Sequence, residues 1–252
     1  MPRSTRIALL VALALVVSVP YRALEAAPAS NADRAGTEIA VVDILGSYAD
    51  NYVSRLTGLG YSVTAIPRDS GLDVLSSYAL VILPESHGNS VNYDMTNSLA
   101  ADYLSYVEGG GGLWVSQPNP FGHIGHTATI TWVPYLLTLY YYYDLNDCPP
   151  VIVDAEHCIA VDLPAAQFSY PGDTATEFGP EWHVVVEGAV TGNPSVFTAE
   201  HGSGRILVEL GHPGNSYCPV PDEVLQRYVE CTLSPTSGVE RSSWSAVKAR
   251  YE

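Results

Sequence analysis

The sequence predicts an α/β protein: a mostly parallel sheet with helices on both faces and a late β-hairpin. Three observations carry this. From residue 38 onward, β-branched apolar runs alternate with stretches whose apolar residues recur every three or four positions. The apolar runs are continuous and do not alternate with polar residues, the pattern of strands buried on both faces. Near the end, two apolar runs flank His201-Gly202-Ser203-Gly204, a turn composition that joins antiparallel strands. The 252 residues leave room for one domain of roughly two hundred residues or for two small ones.

Glu38–Leu45 (EIAVVDIL) opens as a strand, and Gly46-Ser47 turns it. Tyr48, Tyr52, Val53, Leu56 and Leu59 then mark one face of a helix, ended by Gly58 or Gly60. Tyr61–Ile66 reads as a second strand closed by Pro67, Leu72–Leu75 as a short turn or helix, and Tyr78–Leu83 as a third strand stopped by Pro84. After a polar loop, Glu85 to Asn92, a helix is expected over Asp94–Val107, then a glycine turn at 109–112 and a fourth strand, Gly112–Ser116 (GLWVS). Strand–helix–strand repetition of this kind needs right-handed crossovers, which place helices on both faces of the sheet.

The second half is less regular. Thr131–Tyr143 is apolar and aromatic and fits a helix or a strand. Val151–Val153 and Cys158–Val161 are short strand candidates, and Pro164–Pro180 reads as loop. His183–Glu187, Ser195–Ala199 and Arg205–Leu210 read as strands, and Pro221–Thr232 as a last helix. These elements place one α/β domain over residues 38–232.

The two ends read differently. Arg3 and Arg6 precede an apolar run, Ile7–Val19, too short to span a bilayer. Ala27-Pro28-Ala29 then offers a small-x-small cleavage pattern, so residues 1–29 are expected to be a secretory signal peptide. The expected address is secreted, periplasmic or cell-surface, with no integral membrane span in the mature chain. Residues 233–252 read as a linker (SPTSG) and a short tail carrying Trp244, Val247 and Tyr251 beside Arg241, Lys248 and Arg250. The exported part holds Cys148, Cys158, Cys218 and Cys231, an even count that suggests two disulfides in an oxidising compartment. Of the three connectivities, local pairing (Cys148–Cys158 and Cys218–Cys231) closes the shortest loops. No C-x-x-C pair supports a metal, His157-Cys158 is the only adjacent His/Cys pair, and no metal or cofactor is expected.

Charge narrows the function. The chain has 27 acidic against 11 basic residues, a net of -16. Removing residues 1–29 takes Arg3, Arg6, Arg22 and Glu25, which leaves -18. Nucleic acid is excluded as a partner, because binding it needs cations to neutralise phosphates. Neutral small molecules, sugars among them, remain compatible, and the 17 tyrosines suit sugar stacking as well as cores and interfaces. Asp144, Asn146 and Asp147 lack the distal glutamate of a calcium loop and read as an exposed turn.

Two segments carry a family resemblance: the helix leading into YVEGGGGLWVSQPNPFG (Tyr106–Gly122), and the late strand in GSGRILVELGHPG (Gly202–Gly214). With the order of the opening elements, they resemble the class I glutamine amidotransferase-like superfamily, a flavodoxin-like fold, and within it the ThuA-like and secreted glutaminase-like domains. The resemblance implies a nucleophile elbow after the fourth strand, a histidine after the late strand, and a glutamate two residues beyond it. Here Val115-Ser116-Gln117-Pro118 stands where the elbow cysteine is required. His212 matches the histidine, and Gly214 replaces the glutamate. A thiolate on a strained elbow is what glutamine hydrolysis needs, so no glutaminase activity is expected.

Two function classes follow. In the first, the domain is not catalytic and binds a small-molecule, carbohydrate or protein partner at the carboxyl edge of the sheet, where open α/β sheets take ligands. Glu85, His87, Gln117, Asn119, His123 and His126 are the candidate ligand-binding residues, because each follows the third or the fourth strand. In the second, it is a hydrolase with a rearranged Ser116–His212 or metal site at the same edge. Glu209 could supply an acid. Three residues before His212 on one strand, it is expected to face away from that histidine.

Overall fold

The structure, a computed structural model, describes residues 38–44, 47–84, 98–116, 127–130, 132–141, 150–168, 173–211 and 220–234. Eight strands form one sheet in the order β2-β1-β3-β4-β11-β10-β9-β7. They are β1 (Glu38–Asp43), β2 (Ser62–Pro67), β3 (Leu80–Leu83), β4 (Gly112–Ser116), β7 (Val151–Ile152), β9 (His183–Glu187), β10 (Pro194–His201) and β11 (Gly204–Glu209). The first five in spatial order, β2 to β11, run parallel. Beyond β11 the sheet turns antiparallel through β10, β9 and β7. This is an α/β flavodoxin-like fold, with the 2-1-3-4 opening expected of one and the late hairpin at β10–β11.

Helices α1 (Ser47–Gly58) and α4 (Asp222–Leu233) cover one face. Helices α2 (Leu72–Leu75) and α3 (Ala100–Glu108) cover the other. Strand alternation sorts the residues between them. Ile39, Val41, Leu80, Ile82, Trp114 and Leu207 pack under α1 and α4. Ala40, Val42, Val81, Leu113, Val115, Ile206 and Val208 pack under α2 and α3. Most of these side chains are fully buried, and burying each of the larger ones is worth roughly 1.5–3 kcal/mol relative to leaving it in water. Pro67 is tolerated because β2 is an edge strand, where a missing N–H breaks no ladder.

Helices α1 and α3 end in the same way. Tyr61 N–H reaches back to Leu56 O (3.1 Å) and Gly60 N–H to Thr57 O (2.9 Å). Gly111 N–H reaches Tyr106 O (3.0 Å) and Gly110 N–H reaches Val107 O (2.9 Å). Gly60 and Gly110 have φ of +93° and +99°, the left-handed conformation that this closing motif requires and that glycine adopts without a Cβ clash. Arg55, in the last turn of α1, ties the two helices of its face together. It donates to Asp222 Oδ1 (2.8 Å) and to Val220 O (2.6 Å), just ahead of α4.

The second half departs from the sequence reading. A three-stranded antiparallel sheet, β5-β6-β8, packs on the α2/α3 side. It comprises β5 (Thr127–Thr129), β6 (Leu137–Tyr141) and β8 (Asp173–Phe178). Strand β6 resolves the helix-or-strand choice over Thr131–Tyr143. β8 lies inside the stretch read as loop. Its polar residues Thr176 and Glu177 are exposed, so no apolar run advertises it. Cys158–Val161 is a turn rather than a strand: Ala160 and Val161 N–H both bond to His157 O, at 2.8 and 2.9 Å. Cys158 is bridged to Cys231, 73 residues away, so the local pairing expected from loop length is not the one formed. Fold geometry brings the loop after β7 against the C-terminal end of α4, and chain distance does not decide the pairing. Among the described residues, no helix is long and apolar enough to cross a membrane.

Candidate functional site

Ser116 and Glu209 are partners in register at the carboxyl ends of the adjacent parallel strands β4 and β11. Gly112, Trp114 and Ser116 alternate onto one face of β4, and Arg205, Leu207 and Glu209 onto the same face of β11. Ser116 and Glu209 therefore meet beneath α1 and α4. Tyr52 of α1 donates its hydroxyl proton to Ser116 Oγ at 2.7 Å. Ser116 in turn donates to Glu209 Oε2 at 3.0 Å. Trp114 stands edge-on to Tyr52 and Tyr228, with ring centroids 5.3 and 5.2 Å away. Ser116 is 1% exposed and Glu209 0%.

This arrangement has a chemical consequence. The Ser116 proton is committed to Glu209 and its oxygen accepts from Tyr52. A serine nucleophile needs a free line of approach to its electrophile as well as a base, and Ser116 has no open face. Burying the Glu209 carboxylate is costly unless hydrogen bonds meet it, which is what Ser116 does. Tyr228, from α4, is held well above the usual phenol range by burial, then by Glu209 and Tyr52. Its hydroxyl and Trp114 Nε1 have no hydrogen-bond partner among the described residues. Tyr52 ties α1 to the carboxyl edge of the sheet through Ser116, and the Tyr228 ring packs α4 onto Trp114.

A second polar cluster lies toward the opposite end of β11. Arg205, in register with Gly112, donates to Cys231 O at 2.6 Å. It also approaches the sulfurs of Cys231 and Cys158, at 3.4 and 3.5 Å. Next to it, His157 Nδ1 accepts from Ile159 N–H at 3.2 Å, so the ring proton resides on Nε2 and points to Thr198 Oγ1, 3.1 Å away. His183 stacks on His157 (5.1 Å, 18°), and its Nε2 pairs with Asp154 Oδ2 at 2.8 Å. Burial, then the neighbouring His183 and Arg205, lower the His157 pKa from 6.5 to about 3.

That shift fixes a pH response. A histidine whose folded pKa lies below its unfolded value stabilises the fold above the unfolded pKa, and the contribution is lost as pH falls through the folded value. Stability is therefore expected to decline from about pH 6.5 toward pH 3. His157→Gln, which cannot take the proton, should flatten that part of the curve in urea titrations run across the range. An unchanged slope would remove His157 from the acid response.

The other sequence-derived candidates, Glu85, His87, Gln117, Asn119, His123, His126 and His212, lie outside the described residues, as do Cys148 and Cys218. In the chain, the first seven of these follow β3, β4 or β11, strands that are consecutive neighbours in the parallel part of the sheet. Tyr52 and Tyr228 are the residues that sequence reasoning missed around Ser116, and Glu209, weighed there as an acid for a Ser116–His212 pair, is in register with Ser116. Nothing in one sequence sets the register between two distant strands, so the pairing of Ser116 with Glu209 could not be read from it.

No family model matches the sequence, and no curated protein matches it. Solved structures do resemble the fold. A putative GMP synthase subunit from Thermoplasma acidophilum superposes with a TM-score of 0.55 at 13% identity, over 79% of this chain and 94% of that one. The cytoplasmic protein STM3548 from Salmonella typhimurium superposes with a TM-score of 0.50 at 12% identity, over 77% and 98%. At such identity the likeness speaks for the fold alone.

Proposed function

We propose that this chain is an exported glutamine amidotransferase-like domain without the Cys-His-Glu triad, which binds a neutral ligand of the carbohydrate class at the carboxyl edge of its sheet. The observation that carries the non-catalytic part is Ser116. By the resemblance it is one of two residues, with Gln117, that stand where the elbow nucleophile would be, yet it is buried and held between Tyr52 and Glu209. The sequence adds Gly214 in place of the orienting glutamate. The choice of ligand class rests on charge and donor type. A net of -18 after residue 29 repels anions, and the amide and imidazole groups of Gln117, Asn119, His87 and His123 suit hydroxyl-rich ligands.

The test uses the exported chain with Ser116→Ala beside the wild type. No ammonia release from glutamine and no fluorophosphonate labelling are expected in either. Ser116→Ala should instead lower stability by roughly 1–3 kcal/mol, because Glu209 loses a proton donor while buried. For a domain of this size that is a fall of about 2–4 °C in Tm per kcal/mol. Labelling that vanishes in Ser116→Ala would establish the hydrolase reading. Calorimetry against a panel of neutral oligosaccharides tests the ligand. Gln117→Ala with Asn119→Ala should weaken any binding by up to about tenfold per lost hydrogen bond. No heat from any member of the panel would defeat the carbohydrate assignment while leaving the loss of catalysis untouched.

Export and crosslinking are checked together by intact mass. The secreted chain should begin near residue 30 and carry two disulfides. With Cys158–Cys231 formed, Cys148–Cys218 is the one pairing that completes the set. Four alkylatable thiols in the non-reduced protein would defeat the crosslinks, and retention of residues 1–29 would defeat the export signal.

A further inference from the structure

The disulfide sits in a set of groups that a crosslink alone does not require. His157, Cys158 and Cys231 bring one imidazole nitrogen and two sulfurs within 4.8 Å of one another. His157 Nδ1 is 3.8 Å from Cys158 Sγ. We propose that, once reduced, Cys158 and Cys231 form with His157 a Cys₂His site for a divalent cation of the zinc type, the disulfide being the closed, metal-free state of the same site.

Four features of the geometry support this. The first is the tautomer. Thr198 Oγ1 takes the Nε2 proton of His157, which leaves the Nδ1 lone pair directed toward the sulfur side. A ligating histidine needs this arrangement: one nitrogen toward the metal and the other fixed by an outer partner. Ligation exchanges one contact, the 3.2 Å hydrogen bond from Ile159 N–H. The second is Arg205, whose guanidinium lies against both sulfurs. It favours thiolate over thiol and can donate N–H to the sulfurs from outside the coordination sphere.

Charge balance is the third. Two thiolates cancel the charge of a dication, and Arg205 keeps the half-buried Glu200 carboxylate, 3.8 Å away, as its own counter-charge. Access is the fourth: Cys231 is buried, but Cys158 is only partly covered, which admits a reductant and a cation from one side. Imidazole with two thiolates is a donor set that zinc accepts, leaving a fourth position for water.

The chemistry is a thiol–disulfide exchange followed by metal binding. A dithiol reductant attacks the bridge. Its two thiols end as its own disulfide, and two electrons and two protons pass to the sulfurs of Cys158 and Cys231. The cation then displaces both thiol protons to solvent and binds the two thiolates and His157 Nδ1.

Cobalt(II) is the probe, because thiolate ligation gives it a charge-transfer absorption. The exported chain is reduced with dithiothreitol, desalted under argon and titrated with Co²⁺. One equivalent should bind with that absorption, and Zn²⁺ should displace it. The oxidised chain should show nothing. Cys148→Ser/Cys218→Ser should behave as the wild type, whereas Cys158→Ser and His157→Ala should lose the band. Thr198→Val, which removes only the outer partner, should weaken binding about 10–100-fold. Near-ultraviolet circular dichroism follows the fold throughout. If reduction unfolds the chain, recovery of the signal on adding Co²⁺ supports the site, and failure to recover it overturns the proposal. A folded, reduced chain that takes up no Co²⁺, or a band that survives Cys158→Ser, overturns it equally.

Discussion

Gly204→Ala should leave little or no soluble, folded protein. A Cβ at this position would land on two backbone carbonyls, Val107 O and Gly111 O, and neither can swing aside as a side chain could. Nearby, Gly202 has φ +60°, and a Cβ there would lie 2.6 Å from Glu108 Cα. The tip of the β10–β11 hairpin is pressed against the C-terminal turn of α3, and Ser203 N–H bonds to Glu108 O at 3.1 Å. Relief would require β11 to move away from β4, its parallel neighbour in the centre of the sheet. Overpacking typically costs 1–3 kcal/mol, and this case, backbone against backbone, belongs at or above the top of that range. Soluble yield and thermal unfolding are the readouts. Ser203→Ala, an exposed position in the same turn, should stay within about 0.5 kcal/mol of wild type. A well-folded Gly204→Ala with unchanged Tm would mean that the hairpin does not pack on α3 as described.

Loss of the Cys158–Cys231 bridge should be comparably severe. The bridge spans 73 residues, and a loop of that length is worth about 4–5 kcal/mol in the chain-entropy account of disulfides. Paired replacement, Cys158→Ala with Cys231→Ala, avoids a stray thiol and should lower Tm by on the order of 10 °C. The loss should fall on the α4 side, because the bridge pins the end of that helix to the loop after β7. Limited proteolysis of the variant should cut first near residues 157–168 or within α4. A Tm within a degree or two of wild type would show that Arg205, through its 2.6 Å bond to Cys231 O, holds that corner without the crosslink.

The parts legible in the sequence share a physical property: they are buried on both sides, or they carry helical periodicity. β1, β3 and β4 are continuous apolar runs because helices cover both of their faces, and α1, α3 and α4 present apolar stripes to the sheet. Boundaries agree to within a residue or two for α1, β4 and α4, and β1 ends at Asp43, two residues short of the expected Leu45. Helix α3 starts at Ala100, with Leu99 as its N-cap, where the sequence reading starts the helix at Asp94, outside the described residues. The strands that escaped notice, β5 and β8, are polar on one side and lie in a small sheet whose other side supplies the cover. Thr129 of β5 is exposed, and in β8 only Ala175 is buried among the described side chains, with Thr176, Glu177 and Phe178 exposed, so neither strand presents an apolar run.

The site is legible in part. Ser116 can be placed at the carboxyl edge of β4 from composition and order alone. Strand periodicity predicts that Glu209 faces away from His212, which lies outside the described residues, and the register of β4 with β11 puts Glu209 against Ser116. Nothing in the spacing of Tyr52 or Tyr228 distinguishes them from the core aromatics that they also are. The cysteine pairing escapes for a related reason. Loop length favours near partners, whereas packing of α4 onto the sheet joins residues far apart in the chain.

The place of β11 between β4 and β10 has a consequence for how the chain comes to be folded. A nascent chain emerging N-terminus first can assemble β1 to β4 with their helices from local contacts. The outer edge of β4 then waits for a strand that begins at Gly204, and Trp114 waits for Tyr228 to close over it. Throughout that interval the half-built sheet exposes an unpaired, largely apolar edge, the feature that invites pairing with another chain. Synthesis of the last quarter of the protein, rather than the first half, therefore sets when the sheet becomes safe from aggregation, and holding chaperones would matter most just before that point.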